Sequence, residues 1–323
     1  MLSHATACVL PGRTQAAAVL NWAAAAAGCL RTGCREAALI SEPCSAISGR
    51  QQRELGYGMP FVRSNGIRLA FQRSGRGEPV LLIMGSGAAG HVWTLHQTPA
   101  LNQAGYETVV FDNRGIAPSD VPPGKYSLAD MVADTKGLIE ALDLGPCRIV
   151  GTSMGAIIAQ ELAIGWPHLV RSAVLIATRA RSDKARLAMT AADRALEESG
   201  VRLPPKYEAV RTVLEMLSPS TLNDDDVSSS WLEIFEVSRG GAAGGQAWVD
   251  TVTDRRAALR MITVPCRAIA FTDDLICPPH LVADVAEAIP DCDYVEIPDC
   301  GHLGNLERPE AVNAAIIEFL DKY

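Results

Sequence analysis

Six apolar runs spaced along one chain, each ending at a small or acidic residue, leave few folds open. They are PVLLIMG (79–85), ETVVFD (107–112), CRIVGTS (147–153), VRSAVLIA (170–177), CRAIAFTDD (266–274) and DYVEIPD (293–299). Runs this continuous suit strands buried on both faces, because a strand with one wet face alternates apolar and polar residues. Helical spacing of apolar residues fills most of the intervals, over 127–142, 154–166, 280–289 and 309–320. Strands alternating with helices build a mostly parallel sheet flanked by helices, an α/β fold. Ahead of the first run, FVRSNGIRLAFQRSG (61–75) reads as two short strands turning at Asn65-Gly66.

One interval breaks the rhythm. Residues 179–254 are too long for a connection and carry helical patterns at 183–199, 206–217 and 227–237, followed by the Gly-rich joint RGGAAGG (239–245). A block of helices inserted after the sixth strand reads as a lid over a site. The core is therefore expected over 59–178 and 255–323, with the lid over 179–254. Residues 1–58 differ from both. Their Ala-rich stretch QAAAVLNWAAAAAGCL (15–30) has the length of a signal-peptide apolar region, but Arg13 is the only charge before it and Asn21 and Trp22 interrupt it. The leader is expected to lie outside the fold. A cytoplasmic location follows, with export as the alternative.

Composition excludes some function classes. The net charge is −8 with no sustained basic run, which disfavours nucleic acid and anionic membranes as partners. The stretch at 15–30 is too short and too weakly apolar to span a bilayer. The nine cysteines show no C-x-x-C spacing, so neither a disulfide framework nor a zinc site is expected. Cys147 and Cys266, each opening an apolar run, are read as small buried hydrophobes. GSGAAG (85–90) approaches a dinucleotide-binding loop but lacks the acidic residue that would hold a ribose. No cofactor and no metal are implied.

In open α/β sheets, ligands bind at the carboxyl ends of strands. Ser153 sits there, between Gly151 and Gly155, where the chain must fold back sharply from strand to helix. A helix-capping serine is the plainer reading of the same position. A serine nucleophile needs a base, and His302 lies past the last strand between Gly301 and Gly304. His91 and His96 are weaker candidates. The base needs an orienting carboxylate, and the strand ending in Thr272 offers Asp273 and Asp274. Asp274 is chosen, with Asp273 facing solvent or forming the turn.

The order Ser153, Asp274, His302 at successive strand ends resembles the α/β-hydrolase fold superfamily from about Met59 to Tyr323. GTSMG (151–155), FTDDLICPP (271–279) and DCGHLGNLERPE (299–310) are similar to the motifs of its lidded esterase, lactonase and cofactor-free haloperoxidase-like members. FDNRGIAPSD (111–120) is similar to the loop those proteins carry after the fourth strand, which gives Asp112 and Arg114 a structural role. The resemblance implies an oxyanion hole built from the backbone N–H groups of Ser86 and Met154, with the Ser86 hydroxyl as a further donor. Met84-Gly85 stands where those relatives usually carry His-Gly.

The reaction expected is acyl transfer through an acyl-enzyme on Ser153, on a carboxylic ester, lactone or thioester. The substrate would be a small or peptide-like molecule, with a tailoring step of bacterial natural-product biosynthesis as one setting. Peptidase, cyclase or lyase chemistry, including epoxide opening, is the alternative use of the same residues. Lid residues Met189, Leu214, Met216, Leu217, Trp231, Ile234, Phe235 and Trp248 are expected either to line an acyl pocket or to pack lid against core. Arg179 and Arg181 are read as solvated arginines, with receipt of a substrate carboxylate as the second reading.

Overall fold

The computed structural model describes residues 59–238 and 244–323. The leader and residues 239–243 of the Gly-rich joint lie outside the described residues.

Eight strands form one sheet in the order β1-β2-β4-β3-β5-β6-β7-β8. They are β1 (Phe61–Ser64), β2 (Ile67–Gly75), β3 (Pro79–Ile83), β4 (Glu107–Phe111), β5 (Cys147–Thr152), β6 (Val170–Ile176), β7 (Cys266–Phe271) and β8 (Cys292–Ile297). β1 and β2 pair antiparallel through the turn expected at Asn65-Gly66, where both residues have positive φ (46° and 81°). β2 also runs antiparallel to β4, and every pairing from β4 to β8 is parallel. Between β3 and β8 the helices are α1 (Gln97–Gln103), α2 (Leu128–Ala141), α3 (Met154–Gly165), α4 (Lys184–Ser199), α5 (Pro205–Met216), α6 (Pro219–Leu222), α7 (Asp225–Ser238), α8 (Arg256–Leu259) and α9 (Pro279–Ala288). The chain ends with α10 (Gly304–Glu307) and α11 (Pro309–Lys322).

The continuous apolar runs behave as buried parallel strands should. Along β3, Leu81 and Ile83 enter one core, with Met131 and Leu138 of α2 and Ala156 and Leu162 of α3. Val80 and Leu82 enter the other, with Leu101 of α1 and Ile316 and Phe319 of α11. Alternate side chains thus reach opposite faces, and both faces are covered, so an apolar residue is needed at every position. Local signals set the ends of helices. Ser127 caps α2 in a reciprocal box with Asp130, an arrangement typically contributing about 1 kcal/mol. The expected buried character of Cys147 and Cys266 agrees with their exposures of 1% and 2%.

The sheet order places a switch point beside β3. The chain leaves β3 for β4 on one side and returns over β3 to β5 on the other, so the loops after β3 and β5 diverge across a crevice. Helices α4 to α7 follow β6, as the long interval 179–254 required. The described end of the Gly-rich joint is docked rather than loose. Gly245 accepts a hydrogen bond from Tyr126 N–H (2.9 Å) and lies so close to that ring that an added Cβ would meet it at 2.5 Å.

Candidate active site

β5 is buried along its whole length and delivers Ser153 to the crevice with φ 53° and ψ −118°. A non-glycine residue pays strain there, and strain of this kind persists only where the surroundings fix it. The two flanking glycines permit it. A Cβ on Gly151 would stand 2.4 Å from the Gly155 carbonyl oxygen, and one on Gly155 would stand 2.2 Å from that of Ile83. Ser153 N–H donates to Ile176 O at 2.9 Å, tying the turn to the end of β6. The capping reading fails on geometry: Ser153 precedes α3 but makes no side-chain cap bond.

Its hydroxyl is directed elsewhere. Ser153 Oγ lies 3.1 Å from His302 Nε2, and His302 Nδ1 lies 2.8 Å from Asp274 Oδ2. The carboxylate can only accept, so Nδ1–H donates to Asp274, and the Nε2 lone pair faces the serine hydroxyl. The other oxygen, Asp274 Oδ1, accepts from Ile276 N–H (2.7 Å) and Cys277 N–H (2.8 Å). Asp274 is 2% exposed and His302 6%. A buried carboxylate held by two amides and an imidazole fixes the ring and its tautomer. Asp273 is half-buried, and burial followed by Asp299 and Glu307 holds its carboxyl above the usual range. His302 owes its place to Glu307, which the sequence reading did not single out. Glu307 accepts from Gly301 N–H (2.6 Å) and, from the end of α5, Ser218 N–H (2.9 Å), joining the His302 loop to the inserted helices.

The loop after β3 passes beside the serine. A Cβ on Gly85 would lie 3.2 Å from Ser153 Cβ, a tight contact that the glycine avoids. Neither Ser86 N–H nor Met154 N–H has an acceptor among the described residues. The Ser86 hydroxyl, expected as a further donor, instead points to Gln246 Oε1 at 3.4 Å. Gln246 is a residue the sequence offered no means of finding. It is 2% exposed, accepts from Gly87 N–H (2.8 Å) and donates to Arg114 O (2.7 Å). Asp112 Oδ1 accepts from Gly90 N–H (2.7 Å), and Asn113 Nδ2 donates to Met84 O (3.2 Å), so three side chains shape this loop. Gln246→Ala removes about 1 kcal/mol of bonding at the loop and is expected to lower kcat for ester hydrolysis roughly three- to tenfold. Unchanged kcat in steady-state assays would show that the loop holds its shape without Gln246.

Other expected residues divide. Trp231 is buried, stacks on Phe235 at 5.7 Å between centroids, and packs with Val213, Leu217 and Ile234, against which Leu303 leans. Trp248 is not part of that cluster; Lys125 Nζ sits 3.2 Å over its ring. Leu214 is 58% exposed, because its side of α5 faces outward rather than into a pocket. The solvated reading of the arginines is corrected. Arg179 is 5% exposed, donating to Cys277 Sγ (3.2 Å) and Thr251 Oγ1 (2.9 Å), because the residue after β6 is covered by the inserted segment. Arg181, half-buried, pairs with Asp284 at 2.6 Å.

Asp274, Cys277 and His302 bring three possible metal-ligand atoms within 4.8 Å of one another. The arrangement suits a cation poorly. Burial pushes the Cys277 thiol up to about 12, and a guanidinium already lies against the sulfur. No helix among the described residues is long and apolar enough to cross a membrane.

This fold belongs to a class of enzymes: the chain is a member of the alpha/beta hydrolase family, whose model matches residues 80–315. It is similar to the putative non-heme bromoperoxidase BpoC of Mycobacterium tuberculosis, 47% identical over 78% of this chain and 97% of that protein. The crystal structure of BpoC superposes with a TM-score of 0.75, covering 79% of this chain and 96% of that one at 46% identity. A putative carbamate hydrolase, RutD of Azorhizobium caulinodans, is 28% identical over 81% of this chain and 98% of its own. A thermophilic esterase from Thermogutta terrifontis shares the fold with a TM-score of 0.66 and 29% identity, covering 82% of this chain and 97% of that one.

Proposed function

We propose that the protein is a serine hydrolase acting on a carboxylic ester, lactone or thioester through an acyl-enzyme on Ser153. The observation that carries this reading is the unbroken relay from Asp274 Oδ2 through His302 to Ser153 Oγ, at 2.8 and 3.1 Å. Ser153 Oγ attacks the carbonyl carbon while His302 Nε2 takes its proton. The imidazolium formed is stabilised by Asp274, which stays ionised. The tetrahedral oxyanion is received by the Ser86 and Met154 amides, beside the serine and without competing acceptors. As the carbon–heteroatom bond breaks, His302 passes the proton to the leaving group. A water, deprotonated by the same nitrogen, then cleaves the acyl-enzyme and restores the serine. Relatives named as a carbamate hydrolase and an esterase support a carbonyl carbon as the point of attack.

The inserted helices, 179–254, serve as the lid that selects the acyl group, with Trp231 and Phe235 above the His302 loop. Two measurements test the reading together. A fluorophosphonate should label Ser153 stoichiometrically, located by peptide mapping, and a panel of short esters, lactones and thioesters should be turned over. Labelling without turnover of any of them would point to cyclisation or elimination at the same serine. No labelling at all would remove the nucleophile.

A further inference from the structure

Arg179 carries a buried charge without an acid to balance it. It lies just past Ala177 and Thr178, which follow the end of β6, whose Ile176 carbonyl holds the Ser153 amide. Its guanidinium touches Cys277 Sγ, and that sulfur lies within 4.8 Å of ligand atoms of Asp274 and His302. One thiol therefore separates the guanidinium from the acid–base pair. The thiol is neutral at ordinary pH, and Thr251 is neutral always, so neither balances the charge. Both oxygens of Asp274 are taken by His302 and two amides. Among the described residues no carboxylate lies within ion-pair distance of Arg179, and its Nε, buried, has no partner.

A second cation faces the same place. Arg186, one turn into α4, is held below the usual arginine range by burial and then by the Arg179 guanidinium. Its nearest carboxylate, Asp193, is 3.9 Å away and is shared with Arg211, which also takes Glu215. Arg186 and Arg211 thus compete for Asp193, and Arg179 has neither acid. The buried atoms nearby repeat the imbalance: Arg186 Nε, Ser182 Oγ and Thr190 Oγ1 all lack partners. Arg186 and Thr190 are four apart on α4 and share a face. Buried donors and charges are normally satisfied, and an unsatisfied donor set of positive sign, reaching to one thiol from the Asp274–His302 pair, is matched by an anionic acceptor.

We propose that Arg179 and Arg186 receive a carboxylate carried by the substrate, so that the preferred substrates are monoesters of dicarboxylic acids or lactones bearing a free acid. The inference rests on the acyl-transfer reading for its reaction, but the anion site can be read without turnover. A planar guanidinium matches a carboxylate in geometry as well as charge.

The test compares monoethyl succinate, glutarate and adipate with their diethyl esters, in which the chain is the same and the charge is masked. At the best chain length, kcat/KM for the monoester should exceed that for the diester at least tenfold, about 1.4 kcal/mol. In Arg179→Met that ratio should fall at least tenfold, with a partial fall in Arg179→Lys. Independently, calorimetric titration of the wild-type chain with glutarate should show saturable one-to-one binding that glutaramide does not compete for. A ratio near one at all three chain lengths, or no glutarate heat in the wild type, overturns the proposal even if Arg179→Met does not fold. A ratio unchanged in a folded Arg179→Met while both rates drop together also overturns it and leaves a structural arginine. Diester turnover without monoester preference sinks only this inference. Glutarate binding with no ester turned over sinks the acyl-transfer reading and keeps the anion site.

Discussion

On the proposed acyl-transfer reading, Ser153→Ala is expected to abolish fluorophosphonate capture and to lower ester turnover by roughly 10⁴- to 10⁶-fold, the cost of removing the nucleophile of a serine–histidine pair. In the proposed relay the Ser153 hydroxyl is the group that forms the covalent bond, and among the described residues it is the one hydrogen-bond partner of His302 Nε2. His302→Ala should therefore fall by a similar factor, and the double variant no further, since the two act on one proton. Asp274→Asn is the informative partner. An amide turned with its NH₂ toward His302 Nδ1 makes that nitrogen the acceptor and puts the proton on Nε2, facing the serine. Such a ring cannot take the serine proton, and kcat should fall about 10⁴-fold while the fold is retained. Additive losses in the double variant, or an Asp274→Asn enzyme of near wild-type rate, would mean that the three groups do not work as a unit.

Asp134→Ala carries the largest expected loss of stability. Asp134 accepts two hydrogen bonds from Arg114 (2.5 and 2.6 Å) and one from Asn65 (3.0 Å), with side-chain exposures of 2% for the aspartate and 9% for the arginine. It ties the β1–β2 hairpin and the loop after β4 to α2. Removing the carboxylate leaves Arg114 buried with only Asp130 at 3.7 Å, and arginine cannot shed its charge. The expected cost is about 3–5 kcal/mol, read from urea unfolding. Arg114→Leu should cost less, because Asp134 can neutralise itself. Burial already holds its carboxyl above the usual range despite the opposing effect of Arg114. A raised folded-state value means that the folded protein binds more protons than the unfolded chain, so the Arg114→Leu variant should regain stability as pH falls. Equal losses for the two variants, with no recovery in acid, would contradict the account.

The strands and the three relay residues were legible for one reason. Parallel strands covered on both faces must be apolar throughout, so runs such as 79–85 and 147–153 mark themselves, and their ends mark the crevice. Ser153, Asp274 and His302 lie at those ends, and their chemistry narrows the choice further. Even the preference for Asp274 over Asp273 could be made by reading, although only the structure seats it on His302. The arginines show the opposite case. Arg179 in the sequence is a charged residue after a strand, indistinguishable from a solvated one. Its burial comes from Cys277 and Thr251, 98 and 72 residues away.

Gln246 belongs to the same group, since its role depends on Gly87 and Arg114 arriving from β3 and β4. By itself, the sequence determined the mostly parallel sheet and pointed to helices after the sixth strand and to three polar residues at strand ends, because local patterning and side-chain chemistry suffice for those. Only the tertiary structure decided which polar groups are buried, which charges stand unbalanced and which distant side chains shape the loop beside Ser153. Burial and pairing are properties of contacts between segments far apart in the chain, and no window of sequence contains both partners.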